Sequence, residues 1–180
     1  MLVISDTNIL SSLAAGQGFH FLSRLFPGKV IYIPPAVQKE LQAGLAPEQM
    51  YLEVVLEAID SGDIQVLDLS AKEQHIAQAL PTKLNDGECE AIALAQNRKA
   101  RLLSNDKRAV RYCRHQGIKV VDLPYLLREL WIRGITSQNE VRTLIDTMKT
   151  VENLSLSQKT LDKIFAAPPR RRRRRRRRKS

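Results

Sequence analysis

Five short apolar runs punctuate the first two thirds of the chain, and the stretches between them repeat apolar residues at helical spacing. The runs are Leu2–Ser5, Val30–Ile33, Ile64–Leu69, Arg101–Ser104 and Ile118–Val121. Each is short and apolar, as a buried strand is. Between the first two, residues 9–26 keep helical spacing, interrupted at Gly16 and Gly18. Pro34-Pro35 stops the second run, and Pro35 suits the first turn of a helix through Ala36, Val37, Glu40 and Leu41. Further helices are expected over 47–60, 71–80, 88–98 and 107–116. Asn85-Asp86-Gly87 reads as a turn that opens the third of these, and Gly117 as the stop of the fourth. Strands alternating with helices predict an α/β fold with a mostly parallel sheet of about five strands, covered on both faces.

After Pro124 the strand signal ends. Residues 125–133, 137–151 and 157–165 read as short helices, and Ser137 with Glu140 three residues later has the spacing of a capping box. The expected organisation is a domain over 1–124, a helical extension of it over 125–165, and a disordered Pro/Arg-rich tail over 166–180.

The chain has 180 residues, enough to bury a core without disulfide staples. With 43% hydrophobic and 27% charged residues it is not a wholly disordered chain. No apolar run approaches the ~20 residues of a membrane span. The opening Met1–Ile4 reaches an acid at Asp6, so no signal peptide is expected. Cys89 and Cys113 form neither a ligand cluster nor a disulfide framework, and a cytoplasmic location is the expectation. The net charge of +10 is local. Lys and Arg number 29 against 19 Asp and Glu, but ten of the basic residues form the run Arg170–Lys179, so the remainder is formally neutral. That run could hold RNA or DNA through its phosphates, or be a solvated polycation without a fixed partner.

Candidate chemistry lies in scattered acids: Asp6, Glu40, the stretch Asp86-Gly87-Glu88 with Glu90, and Asp106. Asp6 and Asp106 each follow an apolar strand, where ligands of open parallel sheets gather. Glu40 sits one or two turns into the helix after the second strand, and Glu88 begins the helix before the Asp106 strand. Each acid alone has an architectural use: Asp6, Asp86 and Asp106 as caps or turn residues, Glu40 and Glu90 as exposed helix acids. Together they would repel one another unless a cation neutralised them, and hard oxygen donors favour Mg²⁺ or Mn²⁺. The sequence has no glycine-rich phosphate loop, no His-Cys metal spacing and no nucleophile elbow.

Ile4-Ser5-Asp6-Thr7-Asn8, Val37-Gln38-Lys39-Glu40-Leu41, the stretch Asp86–Ala95 and Leu103-Ser104-Asn105-Asp106 together resemble the PIN-domain nuclease pattern, in order, over about residues 1–124. The resemblance implies a Rossmann-like three-layer α/β/α sandwich with a metal-binding acidic pocket. It implies a ribonuclease, most often an endoribonuclease dependent on Mg²⁺ or Mn²⁺; many small members are toxins held inactive by a cognate antitoxin, and many form homodimers. Carried over residue by residue, it makes Asp6, Glu40, Glu88 and Asp106 the catalytic and metal-holding set, with Asp86 and Glu90 as further candidates. Glu88 is preferred because its separation from Asp106 matches the third and fourth acids of toxin-like members. Thr7 and Asn8 match the polar pair after the first acid, and Asn105 stands where toxin-like members often carry another acid.

Lys107, Arg108, Arg111 and Arg114 follow the fourth acid and could meet phosphates beside the pocket, or form a solvated helix face. Two other readings remain at the level of sequence. One is a non-catalytic RNA-binding or scaffold protein on the same fold, with the Arg tail as its contact. The other is a phosphatase- or receiver-like protein phosphorylated on Asp6, which lacks the second aspartate that one such class carries two residues later.

Overall fold

In the computed structural model, which describes residues 1–167, five strands alternate with helices. In chain order these are β1 (Val3–Ser5), α1 (Thr7–Ala15), α2 (Phe21–Leu25), β2 (Ile31–Ile33), α3 (Pro35–Ala43), a 3₁₀ segment (Pro47–Leu52), α4 (Glu53–Asp60), β3 (Ile64–Val66), α5 (Ala71–Gln78), α6 (Asp86–Asn97), β4 (Arg101–Leu103), α7 (Lys107–His115), β5 (Lys119–Val121), α8 (Leu123–Ile132), α9 (Gln138–Glu152) and α10 (Gln158–Phe165). The tail from Pro168 onward, with its arginine run, lies outside the described residues.

All strand pairs are parallel, in the order β3-β2-β1-β4-β5. The pleat sends Val3, Ile31, Ile33 and Leu103 into one core with α1, α2, α3, α4, α8 and α9. It sends Ile4 and Leu102 into a second core with α6 and α7. Both faces are therefore covered, which is why the strands read as apolar runs and not as alternating ones. The result is a three-layer α/β/α sandwich. Val141, Leu144, Ile145 and Met148 of α9 and Ile164 of α10 bury into the same core as Leu10 and Leu13 of α1.

Several elements depart from the sequence expectation for local reasons. The helix expected over 47–60 splits, because Gln49 leaves helical geometry (φ −124°, ψ 27°) inside the 3₁₀ segment. Asp122 does not merely close β5. Its side chain accepts from the Tyr125 amide and caps α8, whose first turn accommodates Pro124. Asn85-Asp86-Gly87 is not a turn ahead of α6: Asn85 is the cap, and Asp86 and Gly87 are already helical. The capping box at Ser137 and Glu140 forms as expected.

The order of the strands creates the site. From β1 the chain moves to β2 and β3 on one side, then returns to place β4 and β5 on the other. Consequently α1, which follows β1, lies on one face and α7, which follows β4, lies on the other. The switch point between their N-termini, at the carboxyl edge of the sheet, is where open α/β sheets form their ligand crevice.

Candidate active site

Asp6 and Asp106 flank that crevice. The Asp6 amide donates to the Leu103 carbonyl at 3.0 Å, fastening the end of β1 to the end of β4. Its Oδ1 accepts from the Ile9 amide at 3.0 Å and caps α1. The side chain is 1% exposed, and Oδ2 is buried without a partner. Ser104 Oγ, also buried, has none either. Burial pushes the Asp6 carboxyl up to about 7; the nearby Ser104 hydroxyl and the Ile9 amide oppose the rise, and the Glu88 and Asp106 charges add to it. Ser104 is close enough to be felt by Asp6 without a formed hydrogen bond.

Asp106 Oδ1 accepts from the Arg108 and Ala109 amides at 2.7 and 2.8 Å, capping α7. Glu88 occupies the third position of α6 and closes a capping box. Its Oε2 accepts from the Asn85 amide at 3.1 Å, while Asn85 Oδ1 accepts from the Glu88 amide at 2.7 Å. Glu88 is 8% exposed, and burial pushes its carboxyl up. The Asn85 amide and Arg108 oppose this rise, and the Asp106 and Glu40 charges reinforce it. Asp6 and Asp106 are thus N-caps, Glu88 is the capping-box partner of Asn85, and all three are at once mutually repelling acids. Each cap uses one oxygen; Asp6 Oδ2, Glu88 Oε1 and Asp106 Oδ2 accept no hydrogen bond among the described residues.

Glu40 reaches the same place from α3. Its Oε2 accepts from the Thr7 hydroxyl, and its Oε1 accepts from the Gly87 amide at 3.1 Å. A Cβ at position 87 would lie 2.7 Å from both Glu40 carboxylate oxygens. Gly87 is therefore an approach point for Glu40, which sequence inspection misread as a turn residue. Ser104 was missed altogether. Its only signal is a hydroxyl at the end of a buried strand, two positions before Asp106.

The other candidates separate. Glu90 is not part of the acidic group: its Oε2 accepts from the Ala36 amide at 2.9 Å and so serves the N-terminus of α3. Asp86 is exposed and lines a cleft between α5 and α6. Asn8 is exposed on the first turn of α1. Arg108 donates to the Lys83 carbonyl at 2.9 Å while its charge is felt by Glu88. Asn105, Lys107 and Arg111 line a different cleft, against Asp122 and the α9–α10 connection. Cys89 and Cys113 are free thiols, the second pushed up to about 12 by burial and then by Asp6. Neither is a thiolate at neutral pH. Trp131 packs and donates to the Ile164 carbonyl at 2.9 Å.

Among the described residues no three acidic, His or Cys side chains stand close enough to form a ready metal cage. The donor chemistry nevertheless fits a hard divalent cation. The available atoms are carboxylate oxygens, and one of them, Asp6 Oδ2, is buried and unpartnered, at a charge cost that a cation would remove.

An all-parallel α/β/α sandwich with acids at its switch point belongs to the class of open-sheet α/β proteins whose ligand site lies at the carboxyl edge of the sheet. A family model named DUF3368 and described as a PIN domain matches residues 2–167, so the chain belongs to the PIN-domain family, a family of nucleases. The match includes α8, α9 and α10. No curated protein matches. Among solved structures, a chain of VapBC2 from Rickettsia felis, determined bound to a DNA fragment from their promoter, is similar at 19% identity and a TM-score of 0.53. The similarity covers 68% of this chain and 98% of that one, and it bears on the fold. No helix among the described residues is long and apolar enough to cross a membrane.

Proposed function

We propose that this PIN-domain protein is a metal-dependent endoribonuclease, and that it acts as the toxin of a toxin–antitoxin pair. The observation that carries the reading is the set of available carboxylate oxygens at the switch point, with Asp6 Oδ2 buried and unpartnered. Asp6, Glu88 and Asp106 would hold Mg²⁺ or Mn²⁺, with Glu40 beside Glu88 completing the acidic set. A divalent cation bound there supplies neutralising charge and activates water for attack on a phosphodiester. The protein's own residues prepare that chemistry. The caps on α1, α6 and α7 hold three carboxylates in fixed orientation. Thr7 and the Gly87 amide fix Glu40 from two sides. Arg108 sets a positive charge beside Glu88 where a phosphate would otherwise meet only acids. The antitoxin would be a separate chain; similarity to a VapBC2 chain is what favours that part of the reading.

The test is cleavage of a mixed RNA pool with Mg²⁺ or Mn²⁺ by the wild type and by Asp6→Asn and Asp106→Asn. Asparagine also caps helices, so the folds are expected to survive. Cleavage by the wild type, with a loss of at least ~100-fold in each variant, is the expected result for groups that position the reacting charge. Equal cleavage by all three would remove the acids from the mechanism. Cleavage by none, with no metal binding by calorimetry, would leave a non-catalytic nucleic-acid or partner-binding role.

A further inference from the structure

Beside the acidic crevice, two clefts share Arg114 and Asp122 in their walls. The first, of about 480 Å³, begins at Asn105 and Lys107, which flank Asp106, and continues past Arg111 to Arg114. Its opposite wall is the α9–α10 connection and the start of α10, contributing Ser155, Ser157 and Thr160. That wall is anchored: Arg128 donates to the carbonyls of Lys163 and Ala166 at the far end of α10, at 2.7 and 2.6 Å. The second cleft, of about 350 Å³, carries on to Arg101, Lys119 and Tyr125.

The direction follows from the fold. The chain enters α7 at the carboxyl edge of the sheet, after β4, and leaves it to begin β5 at the amino edge. Lys107, Arg111 and Arg114 therefore descend from the acidic crevice alongside the unpaired edge of β5. Arg101 and Lys119, register partners at the first residues of β4 and β5, continue the line at the bottom. Five cations stand along this path against one acid, Asp122, and Asp122 holds Arg114 at 2.9 Å. Lys107, Arg111, Arg101 and Lys119 have no acidic partner among the described residues. Tyr125 is 51% exposed at the same edge, an aromatic face without cover.

We infer that these two clefts form a continuous tract that binds single-stranded RNA running away from the cleavage site. A positive groove with hydroxyls for phosphate oxygens and an exposed aromatic for a base is the composition that single strands use. An acidic peptide would use the cations but has no base to stack on Tyr125. The Arg114–Asp122 pair is the restraint in the middle of the tract, since it withholds one cation from the phosphates. The inference rests on the ribonuclease reading and gives the site its substrate path.

The test is photo-cross-linking of full-length protein to single-stranded RNA carrying photoreactive uridines, in EDTA so that no cleavage occurs, with the cross-linked peptides mapped by mass spectrometry. The arginine run at 170–178 is the same in every variant, and the readout is site-resolved so that any RNA held by that run does not enter the comparison. Cross-links at the peptide bearing Tyr125 are expected in the wild type. They should be lost in the double variant Arg111→Ala, Lys119→Ala, whose side chains are exposed and not part of the core. They should strengthen in Asp122→Asn, which keeps a residue able to cap α8 and frees Arg114. Cross-links that avoid Tyr125, or that persist unchanged in the double variant, overturn the tract. Displacement by poly-glutamate more effectively than by unlabelled RNA assigns the surface to an acidic protein segment and overturns it too. Cross-linking at Tyr125 by a protein that cleaves no RNA with Mg²⁺ or Mn²⁺ would sink the nuclease reading alone. Acid-dependent cleavage with no cross-link there would sink the tract alone.

Discussion

At the scale of single residues, the same carboxylate serves architecture and chemistry. A cap occupies one oxygen of Asp6, Glu88 or Asp106 and leaves the other available, so the choice between cap and ligand is not exclusive. Gly87 shows how little room the arrangement has. In Gly87→Ala the new methyl would displace the Glu40 carboxylate from the Gly87 amide and the Thr7 hydroxyl. Alanine favours the helix by about 1 kcal/mol, and the displaced group is the end of a flexible side chain, so stability should change little. On the proposed ribonuclease reading, cleavage should fall by up to ~100-fold, because a shift of about 1 Å in a positioned group is enough for that. Comparing kcat/KM and Tm with those of the exposed control Asp86→Ala checks it; full activity in Gly87→Ala would mean that Glu40 is free to move.

At the scale of elements, α5 and α6 are fastened by one buried carboxylate. Glu73, 1% exposed, accepts from Arg98 Nε at 2.7 Å and Nη2 at 2.9 Å, from Asn97 Nδ2 at 3.0 Å, and from the Ser70 amide and hydroxyl at 2.8 and 2.9 Å. Arg98 is the main reason that the Glu73 carboxyl titrates far below the usual range. A depressed acid stabilises the fold above its unfolded value near 4.5, and that contribution is lost as pH falls through the lower folded value. Arg98→Ala leaves the charge buried without a counterion and should cost on the order of 3 kcal/mol at neutral pH. Urea titrations of both proteins should show the gap narrowing as pH falls below the ordinary carboxyl value near 4.5, because the variant's Glu73, without Arg98, takes up a proton there while the wild type's stays charged. A gap independent of pH would mean that lost packing, and not lost charge pairing, sets the cost.

At the scale of the whole molecule, the helices after Pro124 share the core of the sandwich. Met148 is fully buried, and α9 lies so close to α1 that a Cβ at Gly16 would approach its side chain to 2.6 Å. Met148→Ala should cost about 2–5 kcal/mol, the range for removing a buried large side chain. Thermal unfolding should remain a single transition at lower temperature if 1–165 is one cooperative unit. A separate early transition would show that α9 and α10 melt as a piece of their own.

The sequence by itself determined the elements and their alternation. Apolar runs separated by helical spacing could only be satisfied by a parallel sheet covered twice, and all five strands lie where the runs are. It also marked Asp6 and Asp106, because an acid within a few residues of the end of a buried strand sits at the sheet's carboxyl edge. The local pattern alone did not separate Glu88 from Glu90, two residues apart on one helix; the preference for Glu88 rested on its spacing to Asp106 in the family resemblance. Only α3, packed beside α6, takes the Glu90 carboxylate for its Ala36 amide and leaves Glu88 facing Asp106. Nor could it say that Gly87 makes room for Glu40, 47 positions away, or that Arg108 turns toward Lys83 while Lys107 and Arg111 line another cleft. Local pattern fixes which residues are buried in an element and roughly where it ends. Which buried charges meet is decided by the strand order, since reversing direction after β3 brings the ends of β1 and β4 together across almost a hundred residues of chain.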